Sequence, residues 1–179
     1  MTIQDEGLSL TIALEVTIRI ATKDDLPKLE WYGQFRHFRR LFRRSYRHQQ
    51  LGNRLMLIAD SNDFPIGRLF VQFQSSNTVI ANGFSRAYLY SFHVMEMFRG
   101  RGIGTQLIET AERILRERKF TSVTIAVAKQ NERALQLYRK RGYKTFADDA
   151  GEWRYYDHHG RIRYVQEPCW LMQKELSHS

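Results

Sequence analysis

The sequence predicts an α/β chain built on one mixed, mostly antiparallel sheet with helices on its faces. Three observations carry this. An apolar run at residues 88–95 leads through a glycine turn into an amphipathic run at 103–118 and then into the β-branched run 122–128. A helix between two strands gives a parallel pair. Other strand-like runs meet at short polar turns, Ser61-Asn62-Asp63 and His158-His159-Gly160, which gives antiparallel hairpins. The length, 179 residues, suits one domain with one substantial core.

Residues 1–15 read as a loose extension and residues 16–179 as the single domain. The start of the chain carries Asp5 and Glu6 and no basic segment, unlike a signal peptide. Residues 16–21 alternate as a half-buried strand. Thr22 suits an N-cap, with Asp24 and Asp25 in the first turn of a helix running through Leu26 and Leu29. Gly33 breaks or bends that helix. Residues 34–50 hold Arg36, Arg39, Arg40, Arg43, Arg44, Arg47, His37 and His48 with no acidic residue. Phe35, Phe38, Leu41 or Phe42, and Ser45 or Tyr46 recur there at helical spacing, giving an aromatic inner stripe and an arginine outer face. Residues 54–59 and 65–73 form a hairpin, and 74–85 a polar loop. The helix at 103–118 buries Ile103, Leu107, Ile108, Ala111, Ile114 and Leu115. Glu109 with Arg113, and Glu112 with Arg116, pair on its outer side. Asn131 opens a further helix with Ala134, Leu135, Leu137 and Tyr138 facing in, and Gly142 stops it. Strands follow at 143–146, 153–156, 161–165 and 169–174.

The formal charge of +9 favours anionic partners. The arginine helix reads first as a solvated face whose stems cover apolar surface. Its alternative is a docking strip for an acidic substrate, RNA or a membrane surface. No apolar run approaches the ~20 residues that span a bilayer. Cys169 is the only cysteine, so no intrachain disulfide forms, which fits a cytoplasmic setting. It reads as a core residue beside Trp170. His158 and His159 lack the carboxylates or cysteines of a metal site, and no metal is expected.

The glycine turn, Arg99-Gly100-Arg101-Gly102-Ile103-Gly104-Thr105, is built to hold phosphate. Its glycines let the backbone approach an anion, and successive N–H groups at the helix start point at it. Arg99 and Arg101 add charge-assisted hydrogen bonds. Gly104 is followed by Thr105 without a lysine, so the turn is not a Walker A loop. Glycines at 100, 102 and 104 do not fit the dinucleotide spacing either.

Downstream lies Asn131-x-x-Ala134-x-x-Leu137-Tyr138-x-x-x-Gly142-Tyr143. Together these features resemble the GCN5-related N-acetyltransferase (GNAT) superfamily. Its coenzyme A signature, Arg/Gln-x-x-Gly-x-Gly/Ala, matches Arg99, Gly102 and Gly104. Its second signature, Asn-x-x-Ala-x-x-Leu-Tyr-x-x-x-Gly-Phe/Tyr, matches residues 131–143. The opening Ile18-Arg19-x-Ala21-Thr22-x-x-Asp25 is also similar. The resemblance implies a GNAT-like fold whose parallel pair splays at an acetyl-CoA site. It implies that the backbone of Phe92, His93 and Val94 holds the pantetheine arm, and that residues 99–105 cradle the pyrophosphate. Asn131 would face the pantetheine or the attacking region. Tyr138 would be catalytic, lying near the sulfur and protonating the thiolate.

The resemblance thus implies transfer of acetyl from acetyl-CoA to a primary amine of a small molecule or a protein. The alternative is a non-catalytic module of the same fold that binds coenzyme A or a polyanion such as RNA. Positions where family members carry a glutamate base hold Tyr88 or Tyr90, and Ala126. His93 or a water chain is left to take the proton. A homodimer through the last strand or hairpin is compatible with the sequence.

Overall fold

Long β-branched and aromatic runs give this chain its sheet, and the computed structural model describes it over residues 13–176. The extension expected at the N-terminus therefore lies almost wholly outside the described residues. Strands β1 (Thr17–Ile20), β2 (Arg54–Ser61), β3 (Phe64–Gln72), β4 (Arg86–Val94), β5 (Ser122–Ala128), β6 (Lys144–Asp149) and β9 (Cys169–Glu175) form one sheet. Their spatial order is β1-β2-β3-β4-β5-β9-β6. All neighbours are antiparallel except β4 and β5, which are parallel as expected of a helical crossover. The β2–β3 turn uses Asn62 and Asp63 at φ 51° and 58°, the left-handed pair a two-residue hairpin needs. Strands β7 (Glu152–Tyr156) and β8 (Ile162–Gln166) form a separate two-stranded sheet.

Both faces of the large sheet are covered, which explains the near-continuous apolar runs of its central strands. On one face, α3 (Ile103–Glu117) and α4 (Glu132–Lys140) bury Leu107, Ile108, Ala111, Leu115, Leu135 and Tyr138 against Leu55, Leu57, Leu89 and Ile125. On the other face, α1 (Asp25–Lys28) and α2 (Arg39–Gln50) enclose Trp31, Phe35, Phe42, Met56, Ile58 and Phe70. The β7–β8 hairpin packs against the start of α2, with Phe38 stacked on Trp153 at 6.1 Å and edge-on to Tyr155 at 4.9 Å.

Two expectations are corrected. The first helix is a single turn, and Thr22 does not cap it. The Thr22 N–H and hydroxyl both donate to the Asp25 carboxylate at 2.7 and 3.0 Å, and the Arg19 guanidinium grips the same group at 2.7 and 2.9 Å. Trp31, Tyr32 and Gly33 then take successive left-handed φ values of 44°, 57° and 98°, which ends any helix. Second, Glu112 is not on an outer face. β9 and the end of α4 reach over that side of α3, leaving Glu112 1% exposed beside Lys174 and Tyr143. Glu109 pairs with Arg141 instead of Arg113, and Arg113 pairs with Glu117.

Candidate functional site

β4 and β5 are paired only from Arg86↔Ser122 to Leu89↔Ile125. Beyond that point β4 stays with β3 up to Val94 and β5 stays with β9 up to Ala128, so the parallel strands part. A bulge in β4 accompanies the parting, with Ser91 at φ 53°. One extra residue exchanges the two faces of a strand. Before the bulge, Ala87 and Leu89 face the α3 core; after it, Phe92 and Val94 do. His93 turns to the opposite face, edge-on to Phe35 at 5.1 Å. The Met95 N–H donates to Ile66 of the neighbouring segment at 2.9 Å, while the Val94 carbonyl accepts from Arg99 Nε at 3.0 Å. Backbone groups alternate along a strand, so those of Val94 point into the gap.

The glycine turn closes one end of this gap. Gly100 and Gly102 hold φ 74° and 82°, and Gly102 is the left-handed N-cap of α3. The N–H groups from Gly100 to Thr105 donate to no acceptor among the described residues. They form a row of free donors at the positive end of a helix dipole. Ile103 contributes only this N–H, because its side chain is in the core. Arg99 and Arg101 are exposed beside the row. A Cβ on Gly104 would lie 3.0 Å from Phe92 Cζ and 3.8 Å from Val94, so the bare glycine is what lets strand and helix meet.

Phe92 links the turn to α4, its ring 6.3 Å from that of Tyr138. Tyr138 is 4% exposed, and burial, then the nearby Tyr88, push its hydroxyl well above the ordinary phenol range. It therefore stays protonated at any physiological pH. Phe92, Val94, Gly104 and Tyr138 thus lie in one cluster. Asn131 is exposed, and its Oδ1 accepts from Ala134 N at 3.1 Å as the N-cap of α4. The His93 imidazole lies on the other face, where burial and the charges of Arg68 and Arg99 lower its pKa to about 4. Glu96 sits exposed in a short 3-10 turn beyond β4.

Asp25, Asp60 and Asp63 place carboxylate oxygens within 4.8 Å of one another. Arg19 pairs with Asp25 and Asp60, and Lys28 with Asp63 at 2.7 Å, so the cluster is an ion-pair network. The structure adds Arg68, the lone charge within the apolar run of β3, which is fully buried. Its place in that run is its signal in the sequence.

A mixed sheet whose parallel neighbours part beside an anion-receptive helix start is the architecture of a GNAT-type acyltransferase. The Acetyltransferase (GNAT) family model matches residues 25–143. The chain belongs to this family. An uncharacterized N-acetyltransferase of Bacillus subtilis (strain 168), YdgE, is 37% identical over 57 residues, covering 32% of this chain and 36% of that protein. The uncharacterized protein YxbD of the same organism is 40% identical over 48 residues, 27% of this chain and 30% of that protein. These matches span about a third of each relative's length.

Among solved structures, the ribosomal-protein-S18-alanine N-acetyltransferase from Escherichia coli has a TM-score of 0.69 at 18% identity, over 92% of this chain and 96% of that one. Arabidopsis thaliana NAA60 in complex with acetyl-CoA has a TM-score of 0.67 at 18% identity, over 90% and 99%. At such identities the likeness is one of fold. Among the described residues, no helix is long and apolar enough to cross a membrane.

Proposed function

We propose that this protein transfers the acetyl group of acetyl-CoA to a primary amine of an acceptor. The parting of β4 from β5 beside the free N–H groups of residues 100–105 carries this reading. Those N–H groups suit the pyrophosphate, with the free ends of the Arg99 and Arg101 guanidinia adding charge. The Val94 backbone suits the pantetheine arm and the thioester carbonyl, where a fixed N–H stabilises the developing oxyanion. In the reaction an N–C bond forms and the C–S bond breaks. One proton is lost from the amine and one is gained by the sulfur. Tyr138 donates a hydrogen bond to the departing sulfur. Because burial makes its hydroxyl reluctant to ionise, its chief role is to hold that charge rather than to surrender a proton outright.

The acceptor must attack as the free amine, whose conjugate acid has a pKa of ~10.4. His93 is depressed to about 4, so it is neutral at pH 7 but a feeble base. The proton then leaves through water. His93 protonates only as pH falls through about 4, so kcat/KM should rise with pH toward the amine's own pKa, with no limb near the ordinary histidine value of 6.5. A limb near that value that disappears in His93→Gln would assign the base to His93 instead.

Calorimetry with acetyl-CoA, followed by a thiol-release assay across amines and peptides, tests the main reading. No binding at millimolar acetyl-CoA would sink it. Gly104→Val adds methyl groups against Phe92 and Val94. Overpacking of this kind costs about 1–3 kcal/mol. Acetyl-CoA should then bind about tenfold to a hundredfold more weakly, with the fold intact by circular dichroism. Unchanged affinity would remove the turn from the donor site.

A further inference from the structure

Arg68 lies in the middle of β3 with 0% exposure, and none of the ion pairs among the described residues includes it. Its Nε donates to Ser91 Oγ at 3.2 Å, and its Nη1 reaches the Leu29 carbonyl only at 3.5 Å. Its guanidinium lies over the rings of Phe35, Trp31 and Phe42 at 4.1, 4.9 and 5.1 Å. Its Nη2 is buried without a hydrogen-bond partner. Directly opposite in register stands His93, whose Nδ1 is likewise buried and unpartnered. Both side chains border the ring of Phe35.

Aromatic faces offset part of the cost of burying a cation. They do not replace a counterion, and an unpaired charge inside a protein is strongly disfavoured. The segment covering this pair is itself strained. Trp31 and Tyr32 hold left-handed φ values that non-glycine residues avoid, and Trp31 is pinned there by a 2.8 Å bond from Nε1 to the Pro65 carbonyl. Outside it, Arg36, Arg40 and Arg43 are exposed along one side of the 3-10 turn and α2. Glu30, bonded to Arg39, lies near Arg36 and Arg43 and offsets part of their charge, and no acidic residue within 34–50 offsets the rest. A fixed buried cation, an imidazole Nδ1 without a hydrogen-bond partner beside it and a positive approach all suit a carboxylate.

We propose that Arg68 and His93 bind a carboxylate of the acceptor, so that the acceptor class is an amine that also carries a carboxylate. Arg68 Nη2 and the His93 Nδ1–H each donate to one carboxylate oxygen. The His93 strand is the one that parts from β5, so an acceptor anchored there has its amine next to the acetyl group. This rests on the acetyltransferase reading above. Two sources supply the chemistry: a free amino acid, or a peptide with an acidic residue.

The experiment compares kcat/KM at saturating acetyl-CoA for matched acceptors. Phenylalanine is set against phenethylamine and lysine against cadaverine. Peptides beginning with Asp or Glu are set against the same peptides beginning with Asn or Gln. The carboxylate-bearing member of at least one pair should be favoured tenfold or more. The pair that shows it identifies the source. Arg68→Met, which keeps the apolar stem, should abolish the preference. A second measurement needs neither a variant nor turnover: the His93 imidazole nitrogen resonances are followed while phenylalanine, an Asp-initiated peptide and phenethylamine are added to the unaltered protein. One of the two carboxylates should shift them and phenethylamine should not. Equal rates within every pair, or His93 resonances unmoved by every carboxylate, overturn the assignment. Loss of acetyl-CoA binding instead defeats the transferase reading, and the resonance measurement still decides the carboxylate site.

Discussion

Tyr138→Phe is expected to lower kcat for acetyl transfer by about tenfold to a hundredfold and to leave the affinity for acetyl-CoA within about twofold. The hydroxyl is the only thing removed. The ring keeps its places 6.3 Å from Phe92 and 5.8 Å from Tyr143, so the packing that positions α4 survives. A hydrogen bond to a charged group is worth about 1.5–3 kcal/mol. Charge on sulfur develops only as the C–S bond breaks, so the loss falls on the transition state and not on the bound donor. kcat and kcat/KM should therefore fall together. Burial holds the hydroxyl above its ordinary range, so activity should show no loss at alkaline pH from ionisation of Tyr138. Stopped turnover with weakened acetyl-CoA binding would place Tyr138 in the donor pocket as a packing residue. An unchanged kcat would remove it from the chemistry.

The proposed donor half of the site is legible in the sequence because its signals are local. Glycines at 100, 102 and 104 and the 3.6-residue stripe of α3 act within a few residues of themselves. The spacing from Asn131 to Gly142 is likewise a matter of one helix and its caps. The splay of β4 and β5 could be read only through resemblance, since each strand alone looks regular. The bulge at Ser91 has no compositional mark, because serine is not a residue that favours φ above zero. Tertiary contacts impose it, with Arg68 bonding to the Ser91 hydroxyl across the strands. The left-handed Trp31 and Tyr32 are likewise held from outside, by Pro65 and by the ring of Phe64. Glu112 was misplaced for the same reason. Its i,i+4 partner is visible in the sequence, but the Lys174 that faces it arrives 62 residues later on β9.

That displaced carboxylate gives the largest expected change in stability: Glu112→Ala should cost about 3–5 kcal/mol, as breaking one side of a buried pair does. Glu112 accepts from Lys174 Nζ at 2.7 Å, from the Tyr143 hydroxyl at 3.0 Å and from Arg116 at 3.4 Å, with its side chain 1% exposed. Alanine leaves Lys174, its side chain four-fifths buried, without this counterion, with the Tyr143 ring 5.7 Å from its ammonium. Chemical denaturation should show the loss in the midpoint with little change in slope. Glu112→Gln keeps an acceptor for Tyr143 and should lose less. Replacing both partners, Glu112→Leu with Lys174→Met, should recover most of the stability, because an apolar pair carries no desolvation penalty. The same network reaches the site, since the Tyr143 ring packs on Tyr138. Glu112→Gln should therefore also lower kcat modestly, while acetyl-CoA affinity at the distant α3 N-terminus stays unchanged. A loss below about 1 kcal/mol in Glu112→Ala, the range of an exposed pair, would mean that water reaches this cluster and that Tyr143 does not hold Tyr138 in place.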